Sequence, residues 1–263
     1  GWLGDVATFD DFGAGAPSIT KGTVTATDGT YTDKVRLDAS GYGTNNGATH
    51  TYKVRARNAA GESGDSGTNT GYRKPGTLYR QWQKSAADSD ASYSDISGAT
   101  SDPYDYTGAP APTVTPGTAS ASDGTYTGYV RLTLSGESAN VGAGRYYRAK
   151  YTAAGCTTQY TSGNRGYRGV GSLTRQWYRS AGDSDASYSL LSGATTDPYN
   201  DTGAPAPTIT PGAAAASDGL YATHVALSLS GQSANIGAGR YYKCLVSATG
   251  AASQYSTANR GYR

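Results

Sequence analysis

One interval governs this chain. Gly71-Tyr72-Arg73 returns at Gly166-Tyr167-Arg168 and at Gly261-Tyr262-Arg263, so that 166 − 71 = 95 and 261 − 166 = 95. Asp28-Gly29, Asp123-Gly124 and Asp218-Gly219 keep the same spacing, as do Trp82 and Trp177. Segments 74–168 and 169–263 align without a gap and match at roughly 60 of 95 positions. A period of this length exceeds the usual solenoid unit and suits a domain of about 100 residues that folds by itself. The expected division is therefore 1–73, a partial or variant repeat, followed by 74–168 and 169–263.

Within each repeat the apolar residues alternate with polar ones, the period of a strand with one buried face. Val130 and Leu132 carry this pattern, and Val225 and Leu227 are their counterparts one period on. A second run alternates through Tyr147, Ala149 and Tyr151, matched by Tyr52, Val54 and Ala56 and by Tyr242, Cys244 and Val246. The aliphatic and tyrosine runs of one repeat are expected to face each other across its core. A third strand brings Trp82 or Trp177 inward. Arg80 and Arg175 share that face, and either lay their stems along the indole or are turned outward by a bulge. Gly, Pro and Asp clusters cut the chain at short intervals and leave little room for helices. The fold class expected is all-β, in tandem sandwich repeats.

The first segment is shorter than a full repeat by 95 − 73 = 22 residues and lacks the tryptophan-strand equivalent. Trp2 is a candidate substitute for that indole; the alternative is an incomplete sandwich that accepts a strand from another molecule. The chain starts at Gly1 and contains no Met, as expected of a processed chain or a piece of a longer one.

Charge is nearly balanced, 22 basic against 20 acidic residues, without a basic run, which argues against a nucleic-acid partner. No stretch has the continuous apolarity of a membrane helix. Tyr 23 against Phe 2 fits thin sheets that are apolar on one side and wet on the other. Cys156 and Cys244 fall at different phases of the repeat and make no repeated disulfide framework.

Tyr52 through Ser63 resembles the penultimate strand and following turn of a fibronectin type III domain. Gln176-Trp177-Tyr178-Arg179-Ser180, Leu191-Ser192-Gly193-Ala194-Thr195 and Arg240-Tyr241-Tyr242-Lys243-Cys244 resemble bacterial immunoglobulin-like repeats. The resemblance implies that the strand Trp packs the core and that Tyr242, two residues before Cys244, forms a tyrosine corner. It also implies an extracellular or cell-surface structural, adhesive or spacer role, with copies of the chain, other surface proteins or glycans as partners.

Candidates for chemistry are few. His50 and His224 are replaced by Arg145 and Tyr129 in the neighbouring repeat, and no nucleophile, phosphate or metal motif accompanies them. No enzyme activity and no cofactor are expected. Asp88, Asp90, Asp183 and Asp185 lie in a repeated acidic loop that would supply part of a calcium shell or else cap its own turns. Tyr93, Tyr104, Tyr188 and Tyr199 would form either a recurring sugar- or protein-binding stripe or ordinary cross-strand packing.

Overall fold

The computed structural model describes residues 10–218, 220 and 222–263, so Trp2 lies outside the described residues. The described residues form strands and turns without a helix. The strands collect into several small antiparallel sheets, and no helix is long and apolar enough to cross a membrane.

The alternating runs become strands with one buried edge. Val130–Ser135 buries Val130, Leu132 and Leu134 and exposes the residues between them. Arg145–Thr152 likewise buries Tyr147, Ala149 and Tyr151. A small residue stands opposite each indole, Ala149 across from Trp82 and Cys244 across from Trp177, which leaves the ring room to fill the space between layers.

The structure departs from expectation in what those faces meet. In one core, Val35 and Leu37 from the hairpin Ser18–Ala26/Val35–Asn45 pack with Trp82, Tyr147, Ala149 and Tyr151. The hairpin belongs to the first repeat and the other four residues to the second. The second core repeats the arrangement one period on, with Val130, Leu132 and Leu134 packed against Trp177, Tyr242, Cys244 and Val246. Tyr147 and Val130, expected to face each other within one repeat, thus lie in different cores. Each of the first two repeats hands its aliphatic hairpin to the repeat that follows.

Backbone pairing follows the same rule. The strand Tyr104–Tyr106 adds to the first-repeat hairpin with Leu37 opposite Tyr104, and Tyr199–Asp201 adds to the second with Leu132 opposite Tyr199. The chain accordingly divides into two compact units, one of residues up to Pro110 with Ala143–Arg168, the other of Ala111–Gly142 with Gly169–Arg263. The 95-residue repeat remains the unit of sequence, while each compact unit joins parts of two repeats.

Two pieces are left without such a partner among the described residues. The third-repeat hairpin keeps its register, with Ala216 opposite Leu227 as Ala121 is opposite Leu132. Yet Val225 and Leu227, expected in a core, are 60% and 81% exposed. The physical reason is that their counterparts are covered only by a following repeat. In the first segment the strand expected through Tyr52, Val54 and Ala56 ends at Tyr52. Its counterpart Arg145–Thr152 is held along its length by the tryptophan strand, and no described residue takes that place in the first repeat.

Substitution at equivalent positions separates covered from uncovered faces. Leu132→Ala is expected to cost about 2–5 kcal/mol through lost burial and the cavity left behind. Leu227→Ala should change stability by less than about 0.5 kcal/mol. Urea unfolding followed at the Trp177 indole checks both.

Candidate functional site

The most specific arrangement in each unit is the seam where a hairpin meets the following repeat. The recurring Gly-Tyr-Arg and Asp-Gly motifs meet there. Gly29 N–H donates to the Tyr167 carbonyl at 3.0 Å, and Gly124 N–H to that of Tyr262 at 3.0 Å. Both glycines have positive φ, +73° and +69°, which a side chain rarely adopts. The Asp28 carboxylate, by acting as an acceptor for the Tyr167 phenol and by its charge, raises that phenol above its ordinary pKa.

The other members of the motif are fixed by the same contact. A Cβ at Gly166 would stand 2.7 Å from Ala26 Cβ and 2.9 Å from Val35 Cγ1, and one at Gly261 would stand 2.7 Å from Ala121 Cβ and 2.8 Å from Val130 Cγ1. The same atom at Gly71 would come no nearer than 3.5 Å to the Tyr52 ring. Only where a preceding hairpin is present does the site demand glycine. Arg168 Nε donates to the Thr32 carbonyl at 2.8 Å and Arg263 Nε to the Thr127 carbonyl at 2.8 Å.

Two further side chains satisfy the hairpin backbone. Asn164 Oδ1 accepts from Ala26 N–H at 2.8 Å, and Asn259 Oδ1 from Ala121 N–H at 3.0 Å. Asp102 Oδ1 accepts from Ala39 N–H at 3.0 Å, and Asp197 Oδ1 from Leu134 N–H at 2.9 Å. A buried amide left without a partner costs about 1–3 kcal/mol, so these residues reward one register of the hairpin and penalise others.

The inward arginine of the tryptophan strand reads a position that varies between hairpins. Arg80 lies over the Tyr42 ring, 4.8 Å from its centroid, and its Nη1 is 2.8 Å from Asp102 Oδ2. That approach lies off the N–H direction, so Nη1 makes an ion pair without an aligned hydrogen bond. The side chain is only 11% exposed, which resolves its placement as inward along the indole rather than rotated out by a bulge. One period on, the residue equivalent to Tyr42 is Glu137, and Arg175 Nη2 donates to its Oε1 at 2.6 Å. Beside Arg80 and Tyr42 an open cleft of about 550 Å³ in the first unit is lined also by Lys150 and Tyr151.

The tyrosines weighed as a binding stripe or as cross-strand packing divide between two places. Tyr104 and Tyr199 pack against the cores. Tyr93 and Tyr188 stand in ladders on the other layer: the Arg148 guanidinium lies 4.1 Å from the Tyr93 centroid and 4.4 Å from that of Tyr160. Lys243 Nζ takes the same place between Tyr188 at 4.2 Å and Tyr255 at 4.3 Å. These ring faces are engaged by a cation of the chain itself.

The acidic loops are committed as well. Asp88 accepts a forked pair of bonds from Arg165 at 2.7 and 2.6 Å, and Asp183 takes the same role with Arg260. The arginine bonds hold both carboxyls below their usual range. Asp90 accepts from Tyr93 Oη and Asp185 from Tyr188 Oη. Among the described residues no cluster of three or more His, Cys, Asp or Glu has metal-binding geometry. His50 is exposed with its ring tilted against Tyr52, and His224 Nδ1 lies 3.3 Å from Thr223 Oγ1.

Both cysteines are free thiols. Burial pushes the Cys244 thiol up to about 11, so it packs as a small apolar group. Tyr242 Oη donates to Asp201 Oδ2 at 3.2 Å, a side-chain partner across the unit. The sequence singled out the Gly-Tyr-Arg and Asp-Gly motifs by their spacing, but Asn164, Asn259, Asp102 and Asp197 emerge only from the pairing of repeats. Compared with known proteins, the chain matches no family model, no curated protein and no solved structure.

The Arg175–Glu137 pair has a pH signature. Burial alone would raise the Glu137 carboxyl, but the bond and charge of Arg175, together with a backbone hydrogen bond, outweigh it and hold the carboxyl below its ordinary value. A group depressed in the folded state stabilises above its unfolded pKa, and that contribution is lost as pH falls through the folded one. Glu137→Gln is expected to cost roughly 1.5–3 kcal/mol near neutral pH, the range for hydrogen bonds to charged groups. The difference from the parent chain should shrink as pH falls below the ordinary carboxylate range, read by urea unfolding at the Trp177 indole.

Proposed function

We propose that this chain is an extracellular structural protein, a component of a filament, sheath or surface layer, with no catalytic role. Its repeats are read as variants of the immunoglobulin-like or fibronectin type III-like sandwich in which the aliphatic hairpin comes from the preceding repeat. The observation that carries the reading is that each core is closed by two successive repeats. The chain crosses between its compact units at 110/111, 142/143 and 168/169, so the units are stitched by covalent chain as well as by sequence order. Such a design makes length and continuity its product, and recurring surfaces can add weak contacts to other copies or surface proteins.

A spacer in a cell-surface adhesin is the second reading, favoured by the same stitching because tension would act on interleaved segments. A carbohydrate-binding array is disfavoured by the ladders, whose tyrosine faces are already covered by Arg148 and Lys243. Negative-stain microscopy over a concentration series discriminates among these. Regular polymers are the expected outcome; rods of constant length would favour the spacer, and compact particles with saturable glycan affinity would contradict the structural reading.

A further inference from the structure

We propose that the third-repeat hairpin, residues 208–218 and 222–235, is a docking surface for one kind of partner, the tryptophan and tyrosine strands of a further repeat of this same sequence. The inference rests on an interface that the chain already makes twice and stands apart from where the protein works. The hairpin is prepared for it in detail. Thr208, Ile209 and Thr210 pair with Asn235, Ala234 and Ser233 in the register of Thr113, Val114 and Thr115 with Asn140, Ala139 and Ser138. Ser217 Oγ accepts from Ala226 N–H at 2.8 Å as Ser122 Oγ does from Arg131 N–H.

The apolar face is also the same face. Val130 and Leu132 are fully buried and Val114 and Leu134 nearly so, whereas Ile209, Val225, Leu227 and Leu229 are all exposed. Exposed apolar side chains gathered in one hairpin segment mark an interaction surface, and here the interaction is visible one period earlier. The matching positions define what the occupant brings. It supplies an indole and a phenol for Val225 and Leu227, an amide oxygen for Ala216 as Asn259 gives Ala121, and a carboxylate for Leu229 as Asp197 gives Leu134. It also brings a Gly-Tyr-Arg to match the Asp218-Gly219 sequence, the spacing being 167 − 29 = 138 and 262 − 124 = 138 at the two formed seams.

A sheet of this kind in a second copy is a poor competitor. The sheets carrying Trp82 and Trp177 are each already covered by the hairpin of the preceding repeat. The strand His50–Tyr52 has no tryptophan strand beside it among the described residues.

The test is the full chain with one more copy of residues 169–263 joined after Arg263. Amide exchange at Val225, Leu227 and Leu229 should slow by about a hundredfold or more relative to the chain without it, and the added tryptophan should become buried. Leu227→Asp in the extended chain should abolish the added protection while the Trp82 and Trp177 signals stay as they were. Exchange unchanged by the extension, or an added repeat that stays unfolded, would overturn the proposal. Protection in the unextended chain that rises with its concentration would overturn it too, by making a second copy the occupant.

Discussion

The burial of an aliphatic hairpin face against the indole and phenol rings of the following repeat is the interaction on which the rest of the structure depends. Neither side closes a core alone. The hairpin is a two-stranded ribbon, marginal in water without a covering layer, and the tryptophan and tyrosine strands present a face of large rings that only an opposing layer removes from solvent. Valine, leucine and aromatic side chains that become fully buried contribute about 1.5–3 kcal/mol each, and Val35, Leu37, Trp82 and Tyr147 all reach that state at the first seam. The third hairpin, with the same register and no cover among the described residues, shows the other half of the argument.

Polar contacts decide which partner and which register the apolar faces accept. Asn164 and Asn259, and Asp102 and Asp197, perform the same task at both seams, whereas other positions change in concert. Tyr42 under Arg80 becomes Glu137 paired to Arg175. Tyr106 edge-on to Tyr147, with Lys84 near its ring, becomes Asp201 bonded by Arg179 and Tyr242. Each exchange keeps a cation matched to its neighbour, by ring face in one unit and by carboxylate in the other. Residue 232, the next position in the Tyr42 and Glu137 series, is Gln, a group that an arginine can also bond.

Strand alternation, the 95-residue period and the inward tryptophans were all legible because they are local signals. Val130 and Leu132 alternate with polar residues whether or not one knows what covers them. Legibility ended at the pairing of faces. Nothing in the spacing of Val130 and Tyr147 distinguishes packing within a repeat from packing between neighbours, since both choices bury the same side chains. The discriminating residues are the small ones. Gly166 and Gly261 admit a hairpin that a Cβ would push away, and their recurrence in a fixed tripeptide is a signal that the sequence carries without saying what it is for. The acidic loops and tyrosines looked like binding features for a similar reason, because their partners Arg165, Arg148 and Lys243 lie far along the chain.

The handing of each hairpin to the next repeat is tested most directly by proton contacts between methyl groups and aromatic rings in the intact chain, measured by NMR. The account requires contacts from Val35 and Leu37 to the Trp82 and Tyr147 rings, and from Val130 and Leu132 to those of Trp177 and Tyr242. Contacts from Val130 or Leu132 to Tyr147 or Trp82 would place each hairpin back in its own repeat and contradict it.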